Sequence, residues 1–132
     1  MKPIPVGAKG SFALEVRPEH LANRFKDAIL PPVLATPVMV MVMENAALNA
    51  IKPYLEPGET AVGTRVDIRH LSPTAAGQQV IGDAEVTLVD RRRIVFQVGA
   101  ADEAGPIGDG THERMVVDFA RMERTLEAKR RL

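Results

Sequence analysis

Three residues have side chains and spacings suited to acyl chemistry: Thr36, Glu44 and His70. A hydroxyl can bind or attack a carbonyl, and a carboxylate can attack one or take a proton from water. An imidazole can move a proton near neutral pH. Thr36 and Glu44 lie on one stretch, Thr36 to Ile51, where Thr36, Val40, Glu44 and Leu48 follow an i, i+4 stripe. Eight residues of helix is about 12 Å of rise, too far for the two side chains to touch. Either a substrate or His70 lies between them, or a neighbouring subunit supplies one of the two. Each also has a plain structural reading: Thr36 as a helix N-cap, Glu44 as half of an ion pair or a subunit contact, His70 as a core or rim histidine. Together they form a nucleophile, base and orienter set.

Other residues offer less. His112 and Arg114, in Gly110-Thr111-His112-Glu113-Arg114, fall on one strand face and suit either a substrate contact or an internal salt bridge. Arg91, Arg92 and Arg93 read as a solvated turn, though they could meet a ligand's phosphates. Three histidines without short spacing do not suggest a metal, and Gly108-Asp109-Gly110 is too short for a phosphate loop. Met39, Met41 and Met43 alternate as core filler. Neither metal nor cofactor is expected.

The elements that must position these residues follow from pattern. Thr36-Pro37 reads as an N-cap and first helical position, and Pro53 ends the helix after about Lys52. Val38 to Met43 is apolar without a break, which predicts a helix buried on every side, with Glu44 as a lone carboxylate needing a partner. Residues 11–17 suggest a strand and Pro18–Ala28 a short helix ended by Leu30-Pro31-Pro32, so that 18–32 forms a flap or lid. Thr60–Leu71 reads as a long strand, with Val62, Thr64, Val66, Ile68 and His70 on one face and Arg65, Asp67 and Arg69 on the other. Strands follow at 79–89, 94–100 and 108–119, with a tight hairpin at Asp90-Arg91-Arg92. Residues 121–132 read as a charged helix or tail. The result is an α+β domain spanning 1–132: a curved five-stranded antiparallel sheet wrapped around one long helix, the hotdog fold. Its sheet edges predict pairing into a homodimer.

Composition narrows the partners. Lys plus Arg and Asp plus Glu both number 17, so the net charge of zero argues against a nucleic-acid surface. Four Phe, one Tyr and no Trp leave no platform for stacking bases. With no cysteine, disulfides and thiol chemistry are out of reach. The N-terminus lacks the apolar core of a signal peptide, and the longest apolar run falls far short of the ~20 residues that span a bilayer. A soluble cytoplasmic protein with no nucleic-acid or membrane partner is expected.

Thr36, Glu44, Gly63 and His70 occur together with Pro53-Tyr-Leu-Glu-Pro-Gly-Glu59 and Gly110-Thr-His-Glu-Arg114. In these blocks and intervals, from Val33 to about Phe119, the chain resembles the fluoroacetyl-CoA thioesterase family. The resemblance implies a hotdog homodimer that hydrolyses a short acyl-CoA, with coenzyme A entering only as part of the substrate. It assigns catalysis to Thr36, Glu44 and His70 and substrate binding to Gly63, Leu30 and Arg114. Leu30 stands where the fluoroacetyl enzyme has a phenylalanine gate, and the preceding flap, with His20 and Asp27, also differs. The rival is an acyl-CoA-binding hotdog domain without turnover, a sensor or scavenger. A sensor would carry a further DNA-binding segment, and only about a dozen residues follow the last strand.

Overall fold

The computed structural model describes residues 1–132. In chain order the elements are β1 (Lys9–Glu15), α1 (Ala22–Phe25), α2 (Thr36–Ile51), β2 (Glu59–His70), β3 (Gln79–Asp90), β4 (Arg93–Asp102), β5 (Gly105–Asp118) and α3 (Phe119–Arg130). The expected first helix over 18–28 is broken by Leu21, which leaves a 3-10 turn at Pro18–His20 and the single turn α1.

The five strands form one antiparallel sheet in the order β1-β3-β4-β5-β2. Consecutive strands β2 and β3 are therefore not neighbours. β2 crosses to the far edge and pairs with β5, from Glu59 opposite Asp118 to His70 opposite Gly108. Helix α2 packs chiefly against β1 and β3. Its close approach depends on absent side chains: a Cβ on Gly10 would strike the backbone of Ala46 and Ala50, and one on Gly82 would strike Val42. Beneath the helix lie Ile94, Phe96, Val98, Ile107 and Val116. Phe96 is fully buried, and burying a side chain of that size contributes about 1.5–3 kcal/mol.

Two further expectations are corrected. Helix α2 is not buried all round: Val38, Met39, Val42, Met43, Ala46, Ala47, Ala50 and Ile51 face the sheet, while Thr36 and Pro37 are exposed and Val40, Met41, Glu44, Asn45 and Leu48 are only half-buried. The unbroken apolar run thus serves two faces, one inside this chain and one outside it. On β2, a β-bulge at Gly63–Arg65 shifts the alternation. Ala61 and Gly63 lie opposite the inward-facing Val116 and Arg114, so Val62 lies on the outer face and is not in line with Val66, Ile68 and His70. The arginine hairpin is solvated as expected, with Arg91 and Arg92 exposed, and it also carries two ion pairs. Arg92 pairs with Glu59 at 3.2 Å and Arg93 with Glu113 at 2.9 Å, while Arg91 takes the left-handed turn position at φ 59°. No helix is long and apolar enough to cross a membrane.

Candidate active site

Thr36 is the first residue of α2 and not its cap; Ala35 occupies that position and makes no side-chain capping bond. The Thr36 hydroxyl instead reaches the end of β2, where its Oγ1 lies 2.8 Å from Nδ1 of His70. Both backbones are held by neighbouring segments. The N–H groups of Leu34 and Ala35 donate to the carbonyls of Thr74 and His20, at 2.8 and 2.9 Å. Thr74, 1% exposed, donates its hydroxyl to Asp102 at 2.7 Å, which ties the segment after His70 to the β4–β5 turn. That hydrogen bond is the largest influence on Asp102 and holds its carboxyl below the usual range. Neither Thr74 nor Asp102 stands out in the sequence, because each is one polar residue in an ordinary turn.

His70 is half-buried, and burial pushes its pKa below the ordinary 6.5, opposed by a hydrogen bond with the Ser72 backbone. Its ring is therefore neutral at pH 7. Its second nitrogen, Nε2, is buried without a partner. The helix start offers fewer donors than a regular N-terminus. Pro37 has no N–H, and those of Val38 and Met39 both bond the Ala35 carbonyl at 3.0 and 3.2 Å. The Thr36 N–H alone stays free. The pair opens on a cleft of about 320 Å³ lined by Lys26, Leu30, Val33, Thr36, His70 and Leu71, among others. Leu30 thus lies beside Thr36 and His70, at the inner end of the 18–32 segment.

Glu44 is elsewhere, two turns further along α2. Its neighbours are Gly63 at the bulge and the buried pair His112 and Arg114: a methyl placed on Gly63 would sit 3.0 Å from Glu44 Oε2, 3.3 Å from His112 Cε1 and 3.9 Å from Arg114 Nη1. Arg114 donates to the Glu44 carbonyl at 3.5 Å and to the Ala61 carbonyl at 2.8 Å, but it makes no ion pair with the Glu44 carboxylate. The chain's arginine–carboxylate pairs lie at other positions, among them Glu59 and Glu113. Neither the ion pair offered for Glu44 nor the salt bridge offered for His112 and Arg114 forms. The latter two share a hydrogen bond, Arg114 Nη1 to His112 Nε2 at 3.1 Å. Burial depresses the Arg114 pKa, and the charge of Glu44 opposes that. No cluster of three or more His, Asp or Glu side chains could hold a metal ion.

One chain thus holds two separate groups, Thr36 with His70 and Glu44 with Gly63 and Arg114. The bulge that shapes the second half has a signal in the sequence, since an isolated glycine inside a strand pattern marks such a break.

A profile of the fluoroacetyl-CoA-specific thioesterase family matches residues 16–120. The fluoroacetyl-CoA thioesterase of Streptantibioticus cattleyicolor is 40% identical over 102 residues, which cover 77% of this chain and 73% of that one. A solved structure of a fluoroacetyl-CoA thioesterase superposes with a TM-score of 0.91 at 34% identity, covering 97% of this chain and 98% of the other. A Thermus thermophilus member of the thioesterase superfamily gives 0.93 at 34% identity, covering 99% and 96%. The hotdog fold expected from the sequence is the fold of these relatives.

Proposed function

The chain belongs to the fluoroacetyl-CoA-specific thioesterase family and is an acyl-CoA thioester hydrolase, and from that premise we propose that two copies form a homodimer whose active sites each combine Thr36 and His70 of one copy with Glu44 of the other. The observation that carries this reading is the separation of the two half-sites within a single chain. Two uncovered surfaces support it. β2 is an edge strand with Val66 43% exposed, and α2 leaves Val40, Met41 and Leu48 short of full burial beside Glu44. Val40 is midway between Thr36 and Glu44, and the Val66–Asp67 step is midway between Gly63 and His70. A two-fold axis passing both points brings each half-site opposite its complement, and it pairs the free edges of β2.

In such a site the acyl carbonyl sits at the mouth of the cleft, under Leu30 and the 18–32 flap. The Thr36 N–H and hydroxyl donate to the oxyanion, and neutral His70 holds the hydroxyl by donating Nδ1–H to its oxygen. Glu44 then attacks the carbonyl carbon or takes a proton from a water that does. In the first route the CoA sulfur leaves as thiolate, and water hydrolyses the resulting anhydride to free acid and a regenerated carboxylate. In the second the acid forms directly. Gly63 and Arg114 flank the carboxylate and the acyl group. The substrate class is a small acyl-CoA.

The test is release of free CoA from acetyl-, fluoroacetyl-, medium-chain and aryl-CoA, followed with a thiol reagent, to which this cysteine-free chain adds no background. Turnover is expected to be fastest with the smallest acyl groups. Binding of acyl-CoA with no CoA release from any of them overturns the reading in favour of a sensor or scavenger.

A further inference from the structure

His112 is 1% exposed and makes no hydrogen bond to Thr36, His70 or the Glu44 carboxylate, yet both of its ring nitrogens are engaged. Nδ1 lies 2.8 Å from the carbonyl oxygen of Arg65, at the β2 bulge. A carbonyl only accepts, so Nδ1 carries the hydrogen and Nε2 the lone pair. Nε2 accepts from Arg114 Nη1 at 3.1 Å, which requires a neutral ring, because a protonated one would set N–H against N–H. Burial and the adjacent guanidinium both hold the ring neutral, against the Arg65 carbonyl and the charges of Glu44 and Glu113. The ring also stacks on the buried Phe96, with centroids 5.8 Å apart and planes inclined by 25°. Its tautomer and orientation are thereby fixed.

The imidazole is the middle of a chain of contacts: Arg65 carbonyl, His112, Arg114, then the carbonyls of Ala61 on β2 and Glu44 on α2. Three elements meet there, around the carboxylate that the reaction uses. We propose that His112 is a positioning residue, a neutral imidazole of fixed tautomer that holds Arg114 and the β2 bulge so that the guanidinium and Gly63 flank the Glu44 carboxylate.

The proposal rests on the assignment of Glu44, and three substitutions test it. His112→Phe keeps the ring stack and loses both hydrogen bonds. His112→Gln offers an oxygen near the Nε2 position that can accept from Arg114, whereas His112→Asn offers only a donor near Nδ1. Small misplacements of this kind cost up to about 100-fold in rate. The expected pattern is a kcat for His112→Phe reduced about 30- to 100-fold with KM for acyl-CoA little changed, and a partial recovery for His112→Gln but not for His112→Asn. A cooperatively melting His112→Phe with wild-type kcat overturns the proposal. If that variant does not fold, Gln and Asn variants of equal kcat overturn it, and a clear advantage for Gln supports it. A fully active Glu44→Gln would remove the underlying assignment instead, so the two failures are distinguishable.

Discussion

The Thr36 hydroxyl and the His70 imidazole, 34 residues apart in sequence, meet at 2.8 Å where the first turn of α2 passes the last residue of β2. The hydroxyl that would ordinarily cap a helix is used sideways, on a strand. Replacing Thr36 with Ala removes the hydroxyl and leaves the N–H, so kcat is expected to fall by about 100-fold with KM for acyl-CoA little changed. Thr36→Ser keeps the hydroxyl and is expected to retain most of the rate. Steady-state kinetics on the two variants check both statements.

Glu44 makes no ion pair, so Glu44→Gln breaks no salt bridge and withdraws only the longer-range charge that supports the buried Arg114 guanidinium. The expected result is a fall in kcat of about 1,000-fold with a melting temperature close to that of the parent chain. Near-normal turnover would move the chemistry to another group.

Gly63 is exposed but has no room for a side chain on its inner face. An alanine Cβ would sit 3.0 Å from Glu44 Oε2 and 3.3 Å from His112 Cε1, both tighter than ordinary contact. Gly63→Ala is therefore expected to displace the carboxylate and lower kcat at least about tenfold while the chain stays folded. Kinetics together with a thermal melt check it.

Acid should act on activity and on stability in the same direction. His70 and His112 both titrate below 6.5 when folded, each mainly because burial disfavours the charged ring. Below pH 6.5 the unfolded chain therefore binds more protons than the folded one, and stability rises with pH across that window. The stability these rings confer is fully present above pH 6.5 and is lost as pH falls through their folded values. Protonation also removes the lone pair of the His70 ring. A pH series of melts and of kcat/KM is expected to fall together on the acid side, and His112→Phe to flatten the dependence of the melting temperature.

Much of this was legible in the residues themselves. The helix boundaries, the strand that ends in His70 and the wrapped-helix architecture follow from apolar periodicity, because those patterns depend on local spacing. What periodicity misses depends on neighbours remote in the chain. The crossing of β2 to the far edge is set by its pairing with β5, and the bulge at Gly63 by the need to seat Arg114 and His112 beneath it. Thr36 reads locally as a cap because its attraction to His70 is invisible until β2 is folded back. The apolar run of α2 reads as wholly buried because a sequence cannot separate a face buried in its own core from one left half-covered.

Disrupting the second face tests the dimer directly. Val66→Arg places a charge on the exposed edge strand, and the variant is expected to run as a folded monomer in light scattering and to lose turnover with Thr36, His70 and Glu44 all intact.

Subunit complementation is the most direct measurement of the composite site. Thr36→Ala and Glu44→Gln chains, each inactive alone, are unfolded and refolded together so that half of the dimers are mixed. Every mixed dimer then holds one site with both residues intact, and the mixture is expected to recover about a quarter of the wild-type activity. Mixed dimers that form but show no recovery would mean that Thr36 and Glu44 act within one chain, contradicting the account.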